Sequence, residues 1–408
     1  MTRIKSFAAI QVETDLMSNP LPVLFALGFR PFFLLALLQA VVAMGVWAWL
    51  LHRDPGLLAG FPGGATGWHA REMVFGYAPA MVAGFLLTAV RNWTGRETAT
   101  GWPLAALAGL WLVGRLTAAL DGWGLMVSGV ADLAFLIGLV ITLARPVIAA
   151  GQLRQQSGVL AKVALIGASH GLWLTGALGG MPALQQAGLV SGLLLVIALM
   201  LVVVQRVLVF FSRRALGSDY EPADHPRLDR ALLALMVVYW VLAILSLRGE
   251  ATAVAAGALA LLHALRWGRW FRPGILAHPL LAVLYAGYAW IIAGLALHAA
   301  GIALGWPLSP ALHAFGAGAI ATMTAGMMVR VTLGHTGRDV LAPPRWPALA
   351  FGLVGLAALV RVVAPLATPE LWVPAMATAQ ALWLAAFGLL LAGLAPMLLR
   401  PRVDGAPG

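Results

Sequence analysis

Long apolar stretches alternate with short polar or Pro/Gly-rich breaks along the chain. A helix that crosses a bilayer needs about 20 consecutive, mostly apolar residues. Stretches of that kind lie near 28–51, 69–90, 102–120, 124–144, 159–178, 186–210, 230–247, 251–267, 276–299, 310–331, 346–364 and 371–398. The pattern predicts an all-α fold, a polytopic membrane helix bundle of about twelve transmembrane helices. The longest connection, around 211–229 (FSRRALGSDYEPADHPRLD), is too small to be a domain. A single transmembrane domain over 1–408 is therefore expected, with short tails at 1–27 and 399–408. The first twenty residues carry Glu13 and Asp15 and lack an apolar core, so they read as a tail and not as a cleaved signal.

Composition narrows the class. Hydrophobic residues make up 61% of the chain and charged residues 10%, against about 25% charged in a soluble domain. That is too little polar surface for a water-facing globule, and it excludes a soluble enzyme. Cysteine is absent, which removes disulfides, thiolate metal sites and covalent haem attachment. Any transition metal must take His, Met, carboxylate or backbone ligands. The net charge is +11, but the basic residues are spread out, with no run that suggests nucleic acid. Their placement reports topology instead. With the N-terminus in the cytoplasm, 21 of the 26 Lys and Arg fall on the inner side; Arg53, Arg71, Arg115, Arg248 and Arg361 do not. This bias predicts cytoplasmic N- and C-termini for a multi-pass protein of the bacterial inner membrane.

Ionisable side chains within spans are costly in lipid, which makes them functional candidates. Arg115 and Asp132 lie on the third and fourth spans, at depths that differ by only ~5 Å, and are expected to pair. His69 and His313 each open a helix running from the outer face inward, so they share a depth. Neutral imidazole ligates haem iron and copper. The two can hold one haem between them, or join other outer histidines at a copper; a partly solvated His at a helix start is the plainer alternative. Glu72 lies three residues after His69, placed to accept a ring proton or to sit at a helix N-terminus. Arg71 can partner Glu72 or a haem propionate.

Two further features stand out. MVAGFLLTAVRNWTGR (81–96) aligns without gaps to MTAGMMVRVTLGHTGR (323–338), and each follows one of these two histidines. On the inner side, GFRPFF (28–33), RNWTGR (91–96) and GHTGR (334–338) each place an Arg at a helix boundary. They are expected to converge, with His335 near His278, as a second metal site or a propionate clamp by Arg30, Arg96 and Arg338. A purely topological role for these arginines is the alternative. His335 is ~33 Å along the helix from His313, so one metal cannot take both.

GFRPFFLLAL (28–37), WHAREMVFGYAPAMVAGFLLTAVRNWTGR (68–96), HPLLAVLYAGYAW (278–290) and LHAFGAGAIATMTAGMMVRVTLGHTGR (312–338) resemble the NnrS family. QRVLVFFSRR (205–214) is similar to its middle segment. The resemblance implies a membrane protein that contains haem and copper and serves the response to nitric oxide; it does not imply a particular catalysed reaction. His69, Glu72, Trp93, His278, His313, His335, Arg30, Arg96 and Arg338 fall on the family's pattern. Two positions depart from it. Arg71 stands where many members have His, and Tyr285 stands where a His is frequent, which puts the copper in doubt. Three functions stay open: a haem protein that binds or handles nitric oxide, a transporter of a metal, haem or small anion, and a cofactor-assembly factor.

The charge bias yields a direct test. A reporter fused after Arg400 is expected to read as cytoplasmic, and one in the 120–124 connection as periplasmic. A periplasmic signal from the C-terminal fusion would overturn the topology.

Overall fold

The computed structural model describes residues 20–54, 56–118, 123–217, 220–222, 225–367 and 369–406. Residues 1–19 of the expected tail, and most of the 120–124 connection, lie outside the described residues. Among the described residues all regular structure is helical. A short α1 (Pro20–Leu24) leads into twelve long helices. They are α2 (Phe29–His52), α3 (Gly64–Thr94), α4 (Gly101–Leu116), α5 (Trp123–Ala149), α6 (Leu153–Leu178), α7 (Pro182–Leu216), α8 (Pro226–Leu245), α9 (Glu250–Trp270), α10 (Pro279–Ala303), α11 (Ser309–His335), α12 (Trp346–Ala367) and α13 (Trp372–Leu398). Every predicted span is a helix. Eleven are long and apolar enough to cross a membrane, and α4, at 16 residues, is shorter. The protein is a multi-pass membrane protein.

Helix boundaries follow local chemistry. Proline sits in the first turn of α7, α8, α10 and α11, where its missing N–H costs nothing. Gly95 ends α3 with φ 64°, a left-handed cap that a Cβ disfavours. One boundary differs from expectation. α3 begins at Gly64, five residues before His69, so His69 sits in the second turn and does not open the helix. His313 is four residues into α11, and the two histidines keep matching depths.

The sequence echo has a structural counterpart. α3 packs on α2, α4 and α5, and α4 packs on α5. In the same way α11 packs on α10, α12 and α13, and α12 packs on α13. The aligned glycines have the same job. A Cβ on Gly84 would stand 2.6 Å from the Phe33 ring of α2, and one on Gly326 would stand 2.5 Å from Val283 of α10. Each lets the preceding helix close on the echo helix. α13 packs on α2 and so joins the two four-helix units, while α7 touches both echo helices.

Each echo helix also widens into a π-turn at the same aligned place, Glu72–Tyr77 in α3 and Ala314–Ile320 in α11. Such turns are rare and recur at functional sites. In α3 the displaced carbonyls find donors on the neighbouring α4. Trp111 Nε1 donates to the Gly76 carbonyl (2.9 Å) and Arg115 Nη1 to that of Phe75 (3.3 Å). Tyr77 and Thr324 share a hydroxyl hydrogen bond of 2.6 Å that ties the two echo helices together.

Small residues set these approaches, and two glycines of α4 separate packing from propensity. A methyl on Gly114 would overlap the Asp132 carboxylate, whereas Gly109 has open space. Gly114→Ala is expected to cost about 1–3 kcal/mol, and Gly109→Ala to be neutral or slightly stabilising. Thermal unfolding of the purified protein in detergent measures both; equal effects would refute the packing argument.

Candidate functional site

Call the end of the bundle that carries most arginines the basic end. The opposite end holds two groups of polar side chains, one within the first four-helix unit and one that draws on both units.

The first is an ion cluster. Arg115 Nη2 donates to Asp132 Oδ2 at 2.5 Å, the pair expected from depth alone. Arg71 Nη2 donates to the same oxygen at 2.5 Å and to Ser128 Oγ at 2.5 Å. Arg71 Nη1 bonds Glu72 Oε1. Glu72 Oε2 accepts from Gln39 Nε2 (2.7 Å) and lies 2.9 Å from Arg115 Nε. The Ser128 hydroxyl in turn donates a hydrogen bond to the Gly114 carbonyl (2.6 Å). Two guanidinium groups thus balance two carboxylates, all buried or nearly so. A single unpaired charge there would cost several kcal/mol. Gly76 makes room, since a Cβ on it would stand 2.9 Å from Arg115 Nη1 and 3.2 Å from Gln39 Nε2. His170 is fully buried beside the cluster, with Nε2 3.5 Å from Asp132 Oδ2 and its ring between Phe75 and Trp173.

This arrangement engages two of the candidate side chains with protein partners. Arg71 takes the first of its alternatives, partner to Glu72, and is committed to protein groups through both terminal nitrogens. Glu72 is likewise occupied by Arg71, Arg115 and Gln39. No hydrogen bond links Glu72 to His69, whose Nδ1 is buried without a partner.

The second group contains the histidines. His69 stacks on Trp47, with ring centroids 4.7 Å apart and planes 17° from parallel. His313 Nδ1 lies 2.8 Å from the Ser309 carbonyl. A carbonyl only accepts, so Nδ1 carries the proton and Nε2 keeps its lone pair. Arg361 of α12 donates to Ser309 Oγ at 3.1 Å, and its Nη1 is buried without a partner. Both histidines feel the Arg361 charge, and His313 also feels His69. The three side chains therefore share one neighbourhood. Among the described residues no group of three or more His, Asp or Glu is placed to hold a metal ion. Sequence reasoning missed Arg361 as a site residue. It was visible only as one of five basic residues at this end.

At the basic end the expected convergence is partial. Phe29 packs on His335 with ring centroids 5.6 Å apart, and Arg30, Arg91 and Arg402 surround that histidine with positive charge. Arg30 Nη1 caps the end of α13 through the carbonyls of Leu398 (2.9 Å) and Arg400 (2.8 Å). Arg338 donates to Thr336 Oγ1 (2.7 Å). The tail folds back here: Arg402 Nη1 reaches the His335 carbonyl (3.1 Å) and Nη2 binds Asp404 (2.6 Å). That bond holds the Asp404 carboxyl down at about 2. Arg96 is exposed. His278 occupies the N-cap position of α10 with no side-chain cap hydrogen bond, and no hydrogen bond or ring contact joins it to His335.

The buried cluster and the exposed Arg91–Glu97 pair (2.7 Å) predict opposite outcomes. Asp132→Asn leaves Arg71 and Arg115 sharing the single Glu72 carboxylate, one buried positive charge in excess, and is expected to cost about 3–5 kcal/mol. Arg91→Gln is expected to cost under about 1 kcal/mol. Unfolding measurements on both would expose a cluster that contributes nothing.

The chain matches the family described as NnrS protein over residues 23–402. No curated protein matches it. That span includes every helix from α2 to α13, both echo segments and both groups of polar side chains. The chain belongs to the NnrS family, membrane proteins of the nitric oxide response.

Proposed function

We propose that this protein is a haem-binding component of the nitric oxide response in the bacterial inner membrane, with His69 and His313 as the ligands of one haem iron. The observation that carries this reading is the His313 geometry. Its Nδ1 proton is fixed on the Ser309 carbonyl, which leaves Nε2 as a lone-pair donor in the neighbourhood of His69. Two imidazoles with no third His, Asp or Glu grouped with them among the described residues would suit a haem iron better than a copper ion. The orphaned Nη1 of Arg361 fits a haem propionate, the role first considered for Arg71. Trp47 holds the His69 ring by stacking and supplies an apolar wall. A haem held by both histidines would supply a redox-active iron, and nitric oxide could reach that iron only by displacing one of them.

The protein's own contribution is to orient and neutralise. Ser309 fixes the tautomer of His313. The charge cluster anchors α3 one turn below His69 and takes no part in ligation. Glu72 and Arg71 act on this site only through the helix they hold.

A second reading draws on the paired four-helix units, since internal repeats are common in membrane transporters. The optical spectrum of the purified protein separates the two. A Soret band is expected, and it is expected to be lost or shifted in both His69→Ala and His313→Ala while the proteins still insert. Arg361→Gln is expected to lower haem retention by about tenfold, the worth of one charge-assisted hydrogen bond, with the ligand signature kept. A colourless wild type would favour the transporter. Full haem with unchanged spectra in both histidine variants would end the ligand assignment.

A further inference from the structure

Helices α6, α7, α8 and α9 leave a crevice of about 270 Å³ between them. Its lining includes Leu165, Leu233 and Val237, exposed apolar residues well inside their helices. The crevice therefore opens sideways, onto acyl chains and not onto water. Its polar residues gather towards the basic end, where Lys162, Asp229, His263 and Arg266 line it. Asp229 and Trp240 both line it and are eleven residues apart on α8, a rise of about 16 Å. That is close to half of a hydrocarbon core about 30 Å thick. The crevice thus has the depth of one leaflet, polar at the interface and apolar towards the midplane.

Among the described residues its charges do not balance. Asp229 is the only carboxylate among the described lining residues, and Arg266 Nη2 takes it at 2.5 Å. Lys162 has no carboxylate partner among the described residues. Its Nζ donates only to the Gly158 carbonyl of its own helix, at 3.2 Å, and the charge it feels is another cation, Arg206. His263 is buried, bonded at Nδ1 to the Tyr288 hydroxyl (2.8 Å) and unpartnered at Nε2. A lone ammonium in a lipid-facing crevice needs an anion that arrives through the membrane. Basic pockets between transmembrane helices recognise acidic headgroups.

We propose that this crevice binds an acidic phospholipid of the leaflet at the basic end, with its phosphate on Lys162 and an acyl chain along the apolar walls of α6, α7 and α8. A zwitterionic lipid brings its own cation and leaves Lys162 uncompensated. A water-soluble anion leaves the apolar walls uncovered.

Native mass spectrometry of the full-length protein in detergent tests this, with phosphatidylglycerol and phosphatidylcholine of equal chain length as probes. Phosphatidylglycerol is expected to be retained in preference to phosphatidylcholine. Lys162→Gln is expected to weaken it by about fivefold and to leave phosphatidylcholine unchanged. Lys162→Arg keeps the charge and is expected to keep the preference. Should Lys162→Gln fail to fold, Ala161→Phe keeps the lysine, fills the crevice and is expected to lose the lipid. Equal retention of the two lipids would overturn the proposal, as would an unchanged preference in Lys162→Gln or, where that variant fails to fold, in Ala161→Phe. Competition by millimolar glycerol phosphate would do the same, because it would mark a site for a soluble anion.

Discussion

Lipid does not solvate charge, and the far end of the first four-helix unit is organised around that fact. One carboxylate oxygen, Asp132 Oδ2, receives both Arg71 and Arg115 at 2.5 Å. Three helices are fixed by this single atom, since Arg71 belongs to α3, Arg115 to α4 and Asp132 to α5. Glu72 and Gln39 extend the grip to α2. Breaking such a network strands charge in a medium where stranding is expensive, so the four helices cannot slide past one another independently. The short α4 is tolerable for the same reason: its end is tied down by Arg115. The position of His69, less than one turn from Arg71 on the same helix, is inherited from this clamp.

The two units share an architecture and differ in chemistry. α4 and α12 each carry an arginine to the start of the preceding echo helix. In the first unit Arg115 finds Glu72 and Asp132. In the second, Arg361 finds a serine hydroxyl and the neighbourhood of two histidines. Carboxylates close the first site against further ligands. Among the described residues no carboxylate pairs with Arg361, which leaves a cation with hydrogen-bonding capacity to spare beside the two histidines.

Much of this was legible in the residues. Span positions follow from hydrophobic length, and the Arg115–Asp132 pair followed from depth arithmetic along two neighbouring helices. The arithmetic works because rise per residue is fixed in a helix. It gives height but not direction around the axis, which is why Arg71 and Glu72 were not placed in the same cluster, nor Arg361 beside the histidines. The early start of α3 escaped notice because residues 64–68 (GATGW) are weakly apolar and rich in glycine. The π-turns have no local signature beyond glycine content, and only their aligned positions in the echo tie them to the sequence repeat.

A π-turn closes its ring one residue later than an α-turn, so it amounts to one extra residue lodged in the helix. Each residue of an α-helix advances by about 100° around the axis. Everything on the far-end side of Glu72–Tyr77 and Ala314–Ile320 is therefore out of phase with the long segments that pack below. His69 and His313 both lie on that side. Their azimuth is set by the inserted residue, while the faces that carry Gly84 and Gly326 obey the packing of the bundle. The widened turn uncouples the two requirements, and lets one continuous helix serve a bundle and a binding site that want different faces of it.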